Sequence, residues 1–185
     1  GKPVYLIFFV RLEPSEQTVK SIWGDALPTV KHHYTAVTFS RDESLRYEPL
    51  WALNLSELYP VALELNDAHL SADGILFLNA NYSSYAKEVR RKTAYLWAVD
   101  PDSAQALWRS DALRSRYEFA VLGDVIVAGY GFTSERDYLY LLDAQTGRTL
   151  KKARLKSGPS QIRLVGDDAH VATYGYDYVM RITTE

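Results

Sequence analysis

A block of residues recurs along this chain at a fixed interval. Tyr95-Leu96-Trp97-Ala98-Val99-Asp100 matches Tyr138-Leu139-Tyr140-Leu141-Leu142-Asp143, each partner 43 positions further on. The same displacement carries Val121-Leu122-Gly123-Asp124 onto Leu164-Val165-Gly166-Asp167, and a one-residue slip brings Gly129-Tyr130-Gly131-Phe132 onto Thr173-Tyr174-Gly175-Tyr176. Leu50 to Asn54 and Asp73 to Leu78 supply a third copy. A weaker fourth lies at the N-terminus, where Ser15 to Lys20 mirrors Thr146 to Lys151 behind the apolar run Tyr5 to Val10. The copies fall near 5–48, 49–93, 94–136 and 137–176, with a partial one over 177–185, and they read as one repeat domain. A fixed period of this length marks an architecture in which each unit buries its apolar face only against its neighbours.

Within a copy the signals are those of short antiparallel strands. Tyr138 to Leu142 is an aromatic and aliphatic run, Asp143 to Gly147 supplies turn chemistry, and Arg148 to Leu155 resumes an extended pattern. Gln161 to Val165, the turn at Gly166-Asp167-Asp168 and His170 to Tyr174 form a second hairpin. No copy holds ten residues of sustained helical periodicity, so helical solenoids are excluded. Four strands per copy, stacked radially, make an all-β fold: a β-propeller or partial propeller of about four to five four-stranded blades. The stretch Ser21 to Pro49 is the least regular, with Ala26-Leu27-Pro28 as a break and His33 to Ser40 as a strand.

Aromatic residues make up 13% of the chain, and that density suits half-buried pleated surfaces. A net charge of −2 gives no global attraction to a phosphate backbone or an anionic membrane, so nucleic acid is not an expected partner. No cysteine is present, which excludes a disulfide framework and thiolate chemistry. The apolar run Tyr5 to Val10 is too short to span a bilayer and lacks the flanks of a cleavable signal. Gly1 reads as a processing or cloning end, and removal of a signal ahead of it stays open.

These copies resemble the PQQ-like, or quinoprotein-type, propeller repeat, whose hallmark reads A-x-D-x-x-T-G-K-x-x-W. Ala98, Asp100, Ser103, Ala104, Gln105 and Trp108 sit at that spacing, with Ala104 and Gln105 in place of Gly and Lys. Asp143, Thr146, Gly147 and Arg148 fit in the next copy, where Leu141 replaces Ala and Lys151 replaces Trp. The second copy keeps only Ala52 and Asn54, and the N-terminal copy little beyond Ser15 and Gln17. The resemblance implies that the Trp docks between adjacent blades and that the Asp and Thr-Gly hold a turn. It also implies a scaffold found in cofactor-dependent dehydrogenases and in noncatalytic assembly factors of the bacterial envelope, hence a periplasmic or exported setting. Fold alone does not choose between these.

Catalytic constellations are not visible. His32, His33, His69 and His170 sit in no nucleophile signature, and no G-x-S-x-G elbow exists. Neighbours His32 and His33 on a strand point to opposite faces and cannot share one ion. Asp100-Pro101-Asp102 and Asp167-Asp168 lack calcium-loop spacing. No cofactor, metal or catalytic residue is assigned. Two features point to recognition instead. Tyr82, Tyr85, Tyr130, Phe132, Tyr174 and Tyr176 recur near one connection of successive copies and would gather on one rim, where aromatics serve as anchors. Lys87 to Lys92, including Arg90 and Arg91, is a basic insertion at such a connection. Packing between blades is the favoured explanation of the aromatics, and a solvated charge run that of the insertion. The expected function is a noncatalytic protein-binding scaffold, such as an envelope assembly factor or an immunity or inhibitor protein, with another protein as partner. An enzyme, or a sugar- or small-molecule-binding propeller using its central pocket, is the alternative.

Overall fold

The computed structural model describes residues 4–20, 26–40, 48–54, 64–81, 93–103, 105–131 and 135–183. They fall into two compact units, one of residues 1–64, 82–90 and 100–105, the other of residues 65–81, 91–99 and 106–185. All regular structure among the described residues is strand.

In the first unit, β1 (Val4–Lys20), β2 (Ala26–Ser40) and β3 (Glu48–Asn54) form one antiparallel sheet in that order. Here the strands are longer than the repeat predicts. Ser15 to Gln17, the counterpart of a turn, lies inside β1, where the pairing register shifts between Pro14 and Thr18. Such a bulge accommodates a proline without ending the strand. The expected break at Ala26-Leu27-Pro28 is likewise strand. Pro28 opposes Thr18 on β1, while β3 pairs only with residues 33–38 of β2, so the missing N–H interrupts no ladder on the β3 side.

The remaining strands make three further sheets. β4 (Glu64–Leu70), β5 (Leu76–Asn81), β6 (Tyr95–Asp100) and β7 (Gln105–Arg109) lie in sequence order. So do β8 (Ala120–Leu122), β9 (Val125–Tyr130), β10 (Tyr138–Asp143) and β11 (Thr149–Arg154). A three-stranded sheet of β12 (Pro159–Val165), β13 (Asp168–Thr173) and β14 (Asp177–Arg181) follows. The sheets are out of phase with the sequence copies. The copy near 94–136 gives β6 and β7 to one sheet and β8 and β9 to the next, and the copy near 137–176 likewise divides β10 and β11 from β12 and β13.

Strand periodicity decides which neighbour each side chain meets. Ile126, Ala128 and Tyr130 of β9, with Tyr140 and Leu142 of β10, pack on Phe77, Leu96 and Ala98 of the preceding sheet. The alternate residues Val127 and Leu139 pack instead on Ile162, Ala169 and Val171 of the following sheet. Strand β9 is therefore buried on both faces, which is why it reads as a near-continuous apolar run.

Between these sheets, Trp108 of β7 reaches the turn that follows β10. Its indole N–H donates to the carbonyl of Ala144 at 3.1 Å, and its ring lies 5.9 Å from that of Phe77. Gly147 has φ +71°, and a Cβ there would meet the indole at 2.4 Å. Glycine is required twice over, for the left-handed backbone and for the ring laid against it. Asp143 holds the same turn, its Oδ1 accepting from the Thr146 hydroxyl at 2.8 Å and from the N–H groups of Thr146 at 2.8 Å and Gln145 at 3.0 Å. Asp100 repeats the motif, accepting from Ser103 Oγ at 2.7 Å and the Asp102 N–H at 3.0 Å. At the next interface Lys151 stands where the indole stood, and it borders a groove of about 230 Å³ whose apolar wall includes Leu139, Leu141, Met180 and Ile182.

The Thr146 hydroxyl, joined by the backbone N–H groups, holds the Asp143 carboxyl below the ordinary carboxylate value. A depressed folded pKa contributes stability that is fully present above the unfolded value near about 4 and is lost as pH falls through the folded one. Thr146→Val is expected to lower Tm at about pH 7, with the deficit shrinking toward about pH 2.5. Thermal melts at both pH values check this, and a deficit independent of pH would contradict it.

Candidate interaction rim

The end of β9 is gripped from both sides. The Arg116 N–H donates to the Gly129 carbonyl at 2.9 Å. On the opposite side the chain entering β12 presses so close that a Cβ on Gly131 would meet the Cα of Gly158 at 2.8 Å, and one on Gly158 would meet the Gly131 carbonyl oxygen at 2.5 Å. Only two glycines permit this backbone approach, which joins the β9–β10 connection to the β11–β12 connection.

Residues 115–119, ahead of β8, are held by a polar cluster. Asn79 is fully buried in β5. Its Nδ2 donates to Ser115 Oγ at 3.0 Å and to the Tyr117 carbonyl, while its Oδ1 accepts from the Asp67 N–H at 2.8 Å. The Arg116 carbonyl accepts from Asn66 Nδ2 at 2.7 Å and from Asn81 Nδ2. Asp67 takes the Phe119 N–H at 3.0 Å. Burial pushes the Asp67 carboxyl up, against the pull of the N–H groups of Phe119 and Ala68.

These connections surround a cleft of about 520 Å³, with Tyr117 and Tyr174 on its walls and Asp137, Lys156 and Ser157 among its polar groups. A second cleft of about 490 Å³ shares Asp137 and Lys156 and adds Glu135, Arg136, Arg154 and Tyr176. Tyr174 is 100% exposed and Tyr176 47%. The Lys156 ammonium lies 4.9 Å from the centre of the Tyr176 ring, and Tyr178 closes a tyrosine pair at 6.3 Å. Thr173 shapes the bend that presents them, its Oγ1 accepting from the Tyr176 N–H at 3.0 Å and donating to the Tyr176 carbonyl at 2.7 Å.

Tyr130 occupies a different place from its sequence counterpart Tyr174. It is 4% exposed, packed among the side chains between two sheets, and its hydroxyl donates to Glu135. Burial, then the Glu135 bond, pushes its phenol well above the ordinary value. The difference lies in ladder length. Tyr130 still pairs with Tyr138, whereas the β13–β14 ladder ends at Ala172 and Asp177, leaving Tyr174 beyond the strand. The structure thus brings Tyr174 and Tyr176 to one open rim and puts Tyr130 beneath it. Tyr82, Tyr85, Arg90, Arg91 and Phe132 lie outside the described residues.

The titratable groups elsewhere act locally. His69 and His170 are exposed strand residues, and His32 and His33 are successive positions on β2. Asp168 pairs with Arg181, whose hydrogen bond draws the carboxyl below its ordinary value. Among the described residues no three carboxylate or imidazole groups gather around a point that could hold a metal ion. The asparagine cluster was not visible as a site in the sequence. Its one signal is Asn79 and Asn81 at alternate positions of an otherwise apolar strand.

No protein-family model matches the chain, and no curated protein matches it in sequence. Among solved structures it is similar to BamB from Moraxella catarrhalis, with 13% identity, a TM-score of 0.52 and coverage of 83% of this chain and 44% of that one. The chain therefore spans less than half the length of that protein. A europium-containing methanol dehydrogenase is similar at 15% identity and a TM-score of 0.42, with coverage of 82% of this chain and 28% of that one. At such identity the likeness to BamB shows the fold alone: antiparallel sheets of the β-propeller type.

Proposed function

We propose that this chain is a noncatalytic protein-binding scaffold whose partner docks on the rim that carries Tyr174 and Tyr176. The observation that supports it most is Tyr174 itself, a large aromatic wholly exposed beside a cleft whose backbone is fixed by Gly131 and Gly158. Exposed tyrosines on a rigid frame lose little conformational freedom on binding and make strong anchors. Tyr82, Tyr85, Arg90 and Arg91, between β5 and β6 in sequence, and Phe132, between β9 and β10, are proposed as further contact residues. The PQQ-like resemblance supports an exported setting and a role as an envelope assembly factor, and an immunity or inhibitor protein is the other form of scaffold proposed. The cleft volume also falls in the range of small-ligand sites, which keeps a small-molecule reading as the second choice.

Photo-cross-linking from position 174 tests this, with position 167 as control, since the two positions flank opposite ends of β13. A photoreactive residue at 174 is expected to give a discrete protein adduct that position 167 does not give, and Tyr174→Ala is expected to weaken binding of that partner while leaving Tm unchanged. Equal labelling from both positions, or unaltered affinity after Tyr174→Ala, would remove the rim from the interface.

A further inference from the structure

We infer that the rim recognises an acidic segment of its protein partner, with carboxylates entering the cleft between Arg136, Arg154 and Lys156. This rests on the reading of the rim as a protein-binding surface and adds the chemistry of the partner. Three cations line that cleft. Among the described residues the ion pairs are Arg114 with Asp111 and Arg181 with Asp168, and neither involves this cleft. The two carboxylates in it offset the cations only in part. Glu135 accepts the Tyr130 hydroxyl, and the Asp137 carboxyl is pushed up by burial and then by Glu135, against the pull of the Arg154 guanidinium.

The surrounding sequence has the same sign. From Ala144 to Gly166 the cations Arg148, Lys151, Lys152, Arg154, Lys156 and Arg163 occur without a single acidic residue, in a chain whose net charge is −2. Every residue of β11 from Leu150 to Arg154 is exposed, so its cations face water along the edge of their sheet. Lysines on an edge strand also guard against strand pairing. That account covers Lys151, Lys152 and Arg154 on β11, but not Arg136 and Lys156, which stand on the connections around the cleft. Complementary charge of this kind sets encounter rate and orientation, while the tyrosines supply the contact area.

The test titrates the purified chain with a short blocked peptide carrying glutamate at alternate positions, and with its glutamine counterpart, following amide shifts by NMR. The glutamate peptide is expected to move the amides of Arg136, Lys156 and Tyr176 and to bind about tenfold more tightly than the glutamine peptide, with the preference falling as salt rises. Arg154→Gln and Lys156→Gln should each weaken it by about threefold. Equal affinity for the two peptides, shifts confined to β11, or displacement of the peptide by inorganic phosphate at matched ionic strength would overturn the inference. A cross-linked adduct from position 174 that persists undiminished in the Arg154→Gln, Lys156→Gln double variant would retain the rim as the interface and discard its acidic partner.

Discussion

Trp108→Ala is expected to destabilise the protein by about 3 kcal/mol, a fall in Tm of roughly 6 to 12 °C. The indole fills the space between Phe77 and the Ala144–Gly147 turn and donates a hydrogen bond to the Ala144 carbonyl. Its loss leaves a void at the join between two sheets and a carbonyl without its donor. Gly147→Ala should cost about 1 to 2 kcal/mol from the left-handed backbone, plus the displacement of the indole. The two effects are therefore coupled. In a Trp108→Ala background the added methyl meets no ring, so the double variant is expected to be more stable than the sum of the single losses implies. Denaturant melts of the four proteins measure this, and strict additivity would mean that Trp108 does not rest on Gly147.

The second large effect is expected at Asn79. Asn79→Ala removes two donations and one acceptance made by a fully buried side chain, leaving the Asp67 N–H and the Tyr117 carbonyl without that partner. Each orphaned group costs about 1 to 3 kcal/mol, giving a loss of about 3 kcal/mol overall. Asn79→Leu fills the volume and should still cost about 2 kcal/mol, because the missing partners and not the void carry the penalty. Residues 115–119 should lose amide-exchange protection in both variants, and with them the wall that Tyr117 gives the cleft. A stability change below about 0.5 kcal/mol for Asn79→Leu would show that the asparagine cluster is not what holds that loop.

The hallmark spacing made one part of this legible in advance. Asp143, Thr146, Gly147 and Trp108 all take the places that the resemblance assigns, because turn chemistry and a docking aromatic are local signals written within one copy. The phase of the repeat was not legible, since matching strings reveal an interval without showing which four strands share a sheet. Tyr130 and Tyr174 were equivalent as letters, and they diverged because one ladder runs to Tyr130 while the other stops before Tyr174. The long β1–β2 pairing was hidden by prolines at 14 and 28, residues that end most strands but survive at a bulge and on an unpaired flank. Asn79 bonds Ser115, 36 residues away, and no periodicity announces such a contact.

All placement of the rim depends on copies that bridge adjacent sheets, with the tryptophan of one sheet laid on the glycine turn of the next. Proton NMR of the intact chain tests that contact directly. Cross-peaks between the Trp108 ring protons and the Gly147 α-protons are expected, with those α-protons displaced upfield by the indole ring current. A Gly147 α-proton signal at its unperturbed position, with no cross-peak to Trp108, would contradict the bridging arrangement and the rim built on it.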